Sequence, residues 1–414
     1  HVINFEKVKI LKSAVIYGAN ASGKSNLIKS MDYAKKIILK SLKDVDTYKK
    51  YFRLDNESLK KPTQFEFQIE IDNRFFSYGF YSLLQSKKIT EEWLFEIGKN
   101  KSEKIFERNE NTITLGNMFQ KNKKLQNRFN IYIDDMKNQT DQLFLSEIAN
   151  KDLDTAEIPE VALINNIYEW FNKKLVILYP DSKYGGVSSI GKNNSLSKIF
   201  KKHLKEFDTG VMDISSIEDE FENCKELTAD LKKEIEKDLQ EDNVKISLQG
   251  LAGMLLTIYK DDKENIKVQK LGLIHGLDMK EVFELKDESD GTRRLFDLIP
   301  LIKKFDDDYT IIIDEFDRSL HPKLTKKFFD LFYSIEKSKA QLVITTHEST
   351  LLDLNLLRRD EIWFVEKNEI GASNIFSLNQ FKVRYDSKIE KAYLLGRYGA
   401  IPIFKTFDEL DTDS

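Results

Sequence analysis

The sequence predicts an α/β fold: a parallel-sheet core, discontinuous in the chain, with an antiparallel β subdomain and an inserted helical lobe. Three observations predict it. The final third alternates helical and apolar strand segments (RRLFDLIPLIKKF, YTIIID, LTKKFFDLFYSIEK, QLVITT, DEIWFVEK), the order that builds a parallel sheet. Residues 63 to about 115 change to short alternating or aromatic-rich runs (TQFEFQIEI, FFSYGFYSLL, EEWLFEIG, KIFER, NTITLG). Turn signals at Asp72-Asn73 and Gly98-Lys99-Asn100 separate several of them, as in an antiparallel meander. From about 120 to 245 the pattern is helical and highly charged, as in LTADLKKEIEKDLQED.

In chain order, Lys12–Tyr17 reads as a short buried strand, Gly18–Ser25 as a glycine-containing turn, and Lys24 to about Lys40 as a helix. Within the helical stretch, KLVILYP (174–180) stands out as an isolated strand, followed by a Gly/Ser/Asn-rich loop at 185–197. Strands return over 244–285. The expected division is 1–119 for the N-terminal part of the core with the meander, 120–245 for the helical insertion, and 246–414 for the C-terminal part of the core. The chain opens on His1 and runs straight into strand-like Val2–Phe5, so a native N-terminal segment is expected to precede this numbering.

Composition narrows the class. Across 414 residues, 65 Lys and Arg face 69 Asp and Glu, which removes the prior for a strongly basic nucleic-acid coat protein. Hydrophobic residues at 41% and aromatics at 11% suffice for a sizeable core, so disorder fails as a global description. Charged residues at 32% imply long solvated helices besides that core. With Cys224 as the lone cysteine, no intrachain disulfide can form and a reducing cytosol fits best. Apolar runs such as Leu175–Tyr179 fall far short of a membrane span, and no signal-peptide pattern is read, so a cytoplasmic location is expected.

Gly18-Ala-Asn20-Ala21-Ser22-Gly23-Lys24-Ser25 matches G-x-x-x-x-G-K-[ST], with an apolar strand before it and a helix after. The glycines let backbone N–H groups wrap phosphates, Lys24 reaches the β- and γ-phosphate oxygens, and Asn26 follows in the first helical turn. Ser25 offers a hydroxyl to Mg²⁺, and the helix N-terminus points its positive end at the anion. A second stretch, Gly186 to Asn193, fits the spacing except that Asn193 replaces the metal-binding hydroxyl; it reads as a surface loop. Tyr309 to Glu315 is a buried strand ending in two acids: Asp314 to hold the Mg²⁺ shell and Glu315 to polarise the attacking water. Ser289-Asp290-Gly291-Thr292 precedes a helix expected to begin at Arg293, and is either an anion cradle or a plain helix cap. Gln341–Thr346 is another buried strand ending at His347, read as a sensor at the carboxyl edge of the sheet rather than a structural histidine. The five histidines lack metal-ligand spacing, no Gly-x-Ser-x-Gly elbow is present, and Asp306-Asp307-Asp308 reads as a solvated turn.

The order P-loop, Ser-x-Gly-Thr, Asp-Glu, His resembles ABC-type ATPases of the DNA-repair and SMC class. Longer strings carry a closer resemblance, to the AbiLi/RloA group of bacterial abortive-infection and anti-phage ATPases and, more distantly, to the ATPase of the PARIS defence system. These are SAVIYGANASGKSNLIKSM (13–31), ESDGTRRLF (288–296), IIIDEFDRSLHP (311–322), RRDEIWFVEK (358–367) and GRYGAIP (396–402). The resemblance implies a homodimer or higher even oligomer that sandwiches two ATP·Mg²⁺, each P-loop facing the partner's signature. Ser289 and Gly291 would then contact the γ-phosphate in trans, and Ser319-Leu320-His321 would occupy the D-loop position. It also implies a neighbouring Toprim-like effector acting on nucleic acid. The signature departs from the Leu-Ser-Gly-Gly-Gln of transporters, and Gln142 is a weak candidate for the Q-loop glutamine.

Three competing functions fit the sequence less well. A stand-alone nuclease of the OLD type would need a Toprim domain, for which the stretch after His347 is read as too short. A DNA-repair-type ABC ATPase acting directly on nucleic acid would need a coiled coil or a basic groove, whereas the lysine doublets are scattered and fit a solvated surface. A transporter subunit fits neither the signature nor the charge of the insertion.

Overall fold

In the computed structural model, the described residues are 1–5, 8–121, 123–151, 153, 158–183, 194–239, 245–249, 255–261, 263–276, 281–382 and 388–401. The chain begins with β1 (Val2–Asn4), β2 (Lys9–Leu11) and β3 (Ser13–Tyr17), then α1 (Lys24–Leu39). The meander follows as β4 (Thr63–Ile71), β5 (Arg74–Leu83), β6 (Lys88–Glu96), β7 (Glu103–Asn109) and β8 (Thr112–Leu115). Next come α2 (Lys123–Met136), α3 (Phe144–Ala149), α4 (Pro159–Glu169), β9 (Leu175–Leu178), α5 (Asn194–Glu206), β10 (Val211–Glu220) and α6 (Ala229–Asp238). The last part comprises β11 (Lys245–Gln249), β12 (Leu255–Lys260), β13 (Ile266–His275), β14 (Glu281–Glu284), α7 (Asp290–Ile302), β15 (Thr310–Ile313), α8 (Pro322–Ser334), β16 (Gln341–Thr345), β17 (Ile362–Lys367), β18 (Ser373–Ser377) and α9 (Ile389–Leu394).

The central sheet has the order β18-β17-β3-β16-β15-β9, parallel throughout except for β18 at one edge. Its strands read as continuous apolar runs because both faces are covered. Ile311 and Ile313 enter the core shared with α5, α7, α8 and α9, while Ile312 between them enters the core shared with α1, α3, α4 and the meander. Full burial of each such side chain contributes about 1.5–3 kcal/mol. The meander is antiparallel in the order β4-β5-β6-β7-β8, as its alternation predicts.

The stretch from 120 to 245 contributes α2 to α6, but also two strands whose partners lie elsewhere. β9 forms the edge of the central sheet beside β15. β10, which its charge led the sequence reading to count as helix, pairs with β13 in a second antiparallel sheet. Its local pattern Val211-Met-Asp-Ile214 to Glu220 places buried residues only toward its start and alternates half-buried with exposed positions afterwards, the mark of a strand with one wet face. A small core of Phe221, Cys224, Leu227, Ile235, Leu256, Ile258 and Val268 fills the space between that sheet and α6. The second G-x-x-x-x-G-K stretch, 186–193, lies outside the described residues.

Candidate functional site at the carboxyl edge of the central sheet

β3 ends at Tyr17 and α1 starts at Lys24, so Gly18 to Gly23 must reverse the chain in one tight loop. Ala21 and Gly23 take left-handed backbone angles, φ 62° and 111°. Gly23 is the N-cap of α1 and provides no side-chain cap, which leaves the helix's first N–H groups for a ligand. Glycine is required at Gly18 too: a Cβ there would lie 2.5 Å from the Val365 carbonyl oxygen and 2.6 Å from Ser22 Oγ. Ser22 is 6% exposed and its hydroxyl is buried without a hydrogen-bond partner. Lys24 is equally buried and donates to the carbonyls of Gly18 (2.7 Å) and Ala19 (3.2 Å). Burial pushes its ammonium below the usual lysine value, opposed by Asp314, Asp317 and Glu315. Ser25 is half-buried and Asn20 and Asn26 sit at the rim. A loop with an orphaned hydroxyl, free helix N–H groups and a buried cation fits a polyphosphate.

The acids stand two strands away, across β16. Asp314, 2% exposed, follows β15, and its Oδ1 accepts a 2.5 Å hydrogen bond from Thr345 Oγ1. The same Thr345 oxygen accepts the Glu315 N–H at 2.8 Å. Glu315 is half-buried and holds φ 46°, a conformation that costs a non-glycine residue free energy. Asp317 accepts the His347 N–H at 3.3 and 3.4 Å, so the loops after β15 and β16 are tied together. The His347 ring is exposed, and its pKa is lowered from 6.5 by desolvation and by the Lys24 cation, against the pull of Asp317, Glu315 and Asp314. Lys24 follows β3, Asp314, Glu315 and Asp317 follow β15, and His347 follows β16, so all five stand at the carboxyl edge of three adjacent parallel strands. Ser25 and Asp314 would supply the protein oxygens for Mg²⁺, and the hard oxygen donor set suits that ion. Among the described residues no cluster of three His, Cys, Asp or Glu is arranged for a metal by itself, so phosphate oxygens would complete the shell.

The signature differs in one respect from its reading. α7 begins at Asp290, so Asp290, Gly291 and Thr292 form its first turn instead of preceding it. Ser289 is the N-cap; its Oγ accepts the Thr292 N–H at 3.1 Å. The first turn leans on the loop after β15, since a Cβ at Gly291 would come 2.9 Å from the Ser319 carbonyl oxygen. Ser319 holds φ 63°. Gln142 lies in the segment before α3, its carbonyl oxygen held by Arg108 Nη1 at 2.7 Å. The Asp306–Asp308 run is a turn whose last two acids pair with Lys174.

Sequence reasoning missed four residues. Thr345 and Asp317 organise the acidic loops, and Ser373 braces the phosphate loop by donating to the Ser22 carbonyl at 2.7 Å. Arg294 is 4% exposed; its Nη1 reaches the Tyr179 carbonyl at 3.5 Å while Nε and Nη2 are buried without partners. The string ESDGTRRLF (288–296) itself held the signal for Arg294, as a charged residue inside an apolar helix; the others carry none.

No helix among the described residues is long and apolar enough to cross a membrane. The chain covers 91% of itself and 95% of an SMC head bound to the C-winged helix domain of ScpA, at 13% identity and TM-score 0.35. For the SMC head domain from Thermotoga maritima the values are 91%, 96%, 11% and 0.37. A Pyrococcus yayanosii Smc head domain with a coiled coil and joint is matched over 62% of this chain and 35% of that one, at 14% identity and TM-score 0.23. Likenesses at these scores carry no functional weight. Among curated proteins, none matches this sequence. The family model described as "AAA domain, putative AbiEii toxin, Type IV TA system" matches residues 13–353, from the P-loop strand to beyond His347. The chain therefore belongs to that AAA-domain family.

Proposed function

We propose that the chain is an ATP-binding and hydrolysing switch that dimerises around nucleotide and controls a partner effector in bacterial anti-phage defence. The observation that carries this reading is the Thr345 hydroxyl joining Asp314 to the Glu315 backbone, at the sheet edge that also holds Lys24 and His347. A buried Asp beside a half-buried Glu suits a division of labour, one acid fixed and one able to take a proton.

In this reading Gly18 and Asn20 to Asn26 bind the phosphates, with Lys24 transferring its two carbonyl bonds to phosphate oxygens. Magnesium, when bound between Ser25 and Asp314, would neutralise phosphate charge. Glu315 accepts the proton of the attacking water, and His347, neutral at pH 7, hydrogen-bonds near the γ-phosphate. Ser289 and Gly291 serve the partner's nucleotide: their own contacts are to Thr292 and Ser319, so a C₂ pairing would bring each signature over the opposite P-loop. Nucleotide-dependent closure is then the signal read by a Toprim-like effector, in a cytoplasmic setting. The abortive-infection setting rests on the strings quoted above and accords with the family's description.

The test is complementation in trans. Ser289→Asp keeps a good N-cap while setting a carboxylate against phosphate, and Lys24→Ala removes the loop's cation. Each alone should be inactive. An equimolar mixture that exchanges subunits freely should recover about a quarter of wild-type ATPase, since half the dimers carry one intact composite site of two. If differently tagged subunits pair yet show no ATPase above either parent, the shared-site reading fails.

A further inference from the structure

The β17–β18 hairpin, which follows the catalytic loops in sequence, forms the outer wall of the phosphate loop. β17 runs parallel to β3, pairing Phe364 with Tyr17, and so carries Val365 alongside Gly18. β18 returns antiparallel, with Ser373 opposite Lys367. Ser373 Oγ donates to the Ser22 carbonyl at 2.7 Å, and it fills the space that a Cβ on Gly23 would occupy: such a Cβ would overlap Ser373 Oγ and lie 2.9 Å from Ser373 Cβ. Ser22 is held from within as well, its N–H bonded to the Ala19 carbonyl at 3.2 Å. The Ser22–Gly23 peptide is thus fixed with its carbonyl turned to the hairpin. A trans peptide points its N–H opposite to its C=O, so the Gly23 N–H is turned to the other side, away from Ser373. The Ser22 hydroxyl remains buried and unpartnered.

We propose that Ser373 is a positioning residue for nucleotide binding: it locks the Ser22–Gly23 peptide so that the phosphate-loop N–H groups are preorganised before nucleotide arrives. The inference rests on the nucleotide reading of the P-loop. It assigns a second function to Gly23, whose missing side chain makes room for the serine as well as permitting φ 111°. Without the clamp the peptide rotates, and binding has to order it. Ser373 is bonded to none of Asp314, Glu315 or His347, so its loss should weaken ground state and transition state equally, raising KM while leaving kcat intact.

The experiment compares Ser373→Ala with wild type, titrating ATP and ADP by calorimetry and measuring steady-state hydrolysis and Tm. Expected are Kd values for both nucleotides and a KM raised about tenfold, the size of one lost hydrogen bond, with kcat within about twofold. Tm without nucleotide should change little, because β18, exposed over Ser373 to Ile375, keeps its ladder to β17. Affinities within about twofold of wild type, or a fall in kcat at unchanged KM, would overturn the clamp. Loss of affinity accompanied by a large drop in Tm would also overturn it, as a structural effect. Lys24→Ala, run alongside, separates this proposal from the reading beneath it. If Lys24→Ala binds ATP like wild type, the nucleotide site itself falls; if only Ser373→Ala is silent, the clamp alone falls.

Discussion

Replacing Thr345 by valine removes one oxygen and preserves the shape of a side chain that is fully buried. That oxygen serves two neighbours. It donates to Asp314 Oδ1 at 2.5 Å and accepts the Glu315 N–H at 2.8 Å. A hydrogen bond to an ionised carboxylate contributes about 1.5–3 kcal/mol, and stranding a shielded N–H costs about 1–3 kcal/mol. Thr345→Val should therefore destabilise the nucleotide-free protein by about 3–5 kcal/mol, visible as a lower urea midpoint at unchanged slope. Thr345→Ser keeps both bonds and loses one methyl group, about 1 kcal/mol. Hydrolysis should separate the two variants more sharply. With its anchor gone, Glu315 leaves φ 46° for an ordinary backbone conformation and its carboxylate swings off the water, so kcat should drop at least about tenfold in Val and little in Ser. A Thr345→Val protein as stable as wild type, or one hydrolysing ATP at the wild-type rate, would refute this account of how the acids are held.

Glu315→Gln should bind ATP·Mg²⁺ normally and hydrolyse it about a hundredfold more slowly, because an amide cannot accept the water's proton; single-turnover kinetics with labelled ATP check this. The depressed pKa of His347 keeps its ring neutral at pH 7 and for some way below 6.5, so ATPase activity should hold down to about pH 6.5 and fall only beneath it. The unfolded chain binds the proton first, so the stability linked to this group is present above pH 6.5 and lost as the pH falls; His347→Gln should flatten both profiles. Arg294→Met replaces a buried cation with unpartnered Nε and Nη2 by an apolar side chain of similar length, and should be neutral or stabilising by up to about 2 kcal/mol in thermal unfolding without nucleotide. A clear loss of stability would mean that Asp297 or Asp317 depends on its charge.

What the sequence determined alone is whatever is local. Gly18 to Ser25 can be read from one string because a phosphate loop needs consecutive N–H groups, glycines at its strained turns and a lysine one step into the helix. The run Ile311–Ile313 likewise announces a strand covered on both faces, and the alternation of β4 to β8 announces a meander. Tertiary structure decided what depends on register. Thr345 meets Asp314 because β15 and β16 run parallel with Ile313 opposite Ile344, a pairing no local pattern encodes. Ser373 reaches Ser22 across 351 positions of chain, only because β17 aligns with β3 and its hairpin folds back. The helical pattern over β10 misled for the same reason: its charges are spaced by the wet face of a five-stranded sheet in which its partner, β13, lies downstream. Backbone conformation and local caps are set by a few neighbouring side chains, whereas partners brought together by sheet pairing are set by the burial of whole faces, which only the complete chain supplies.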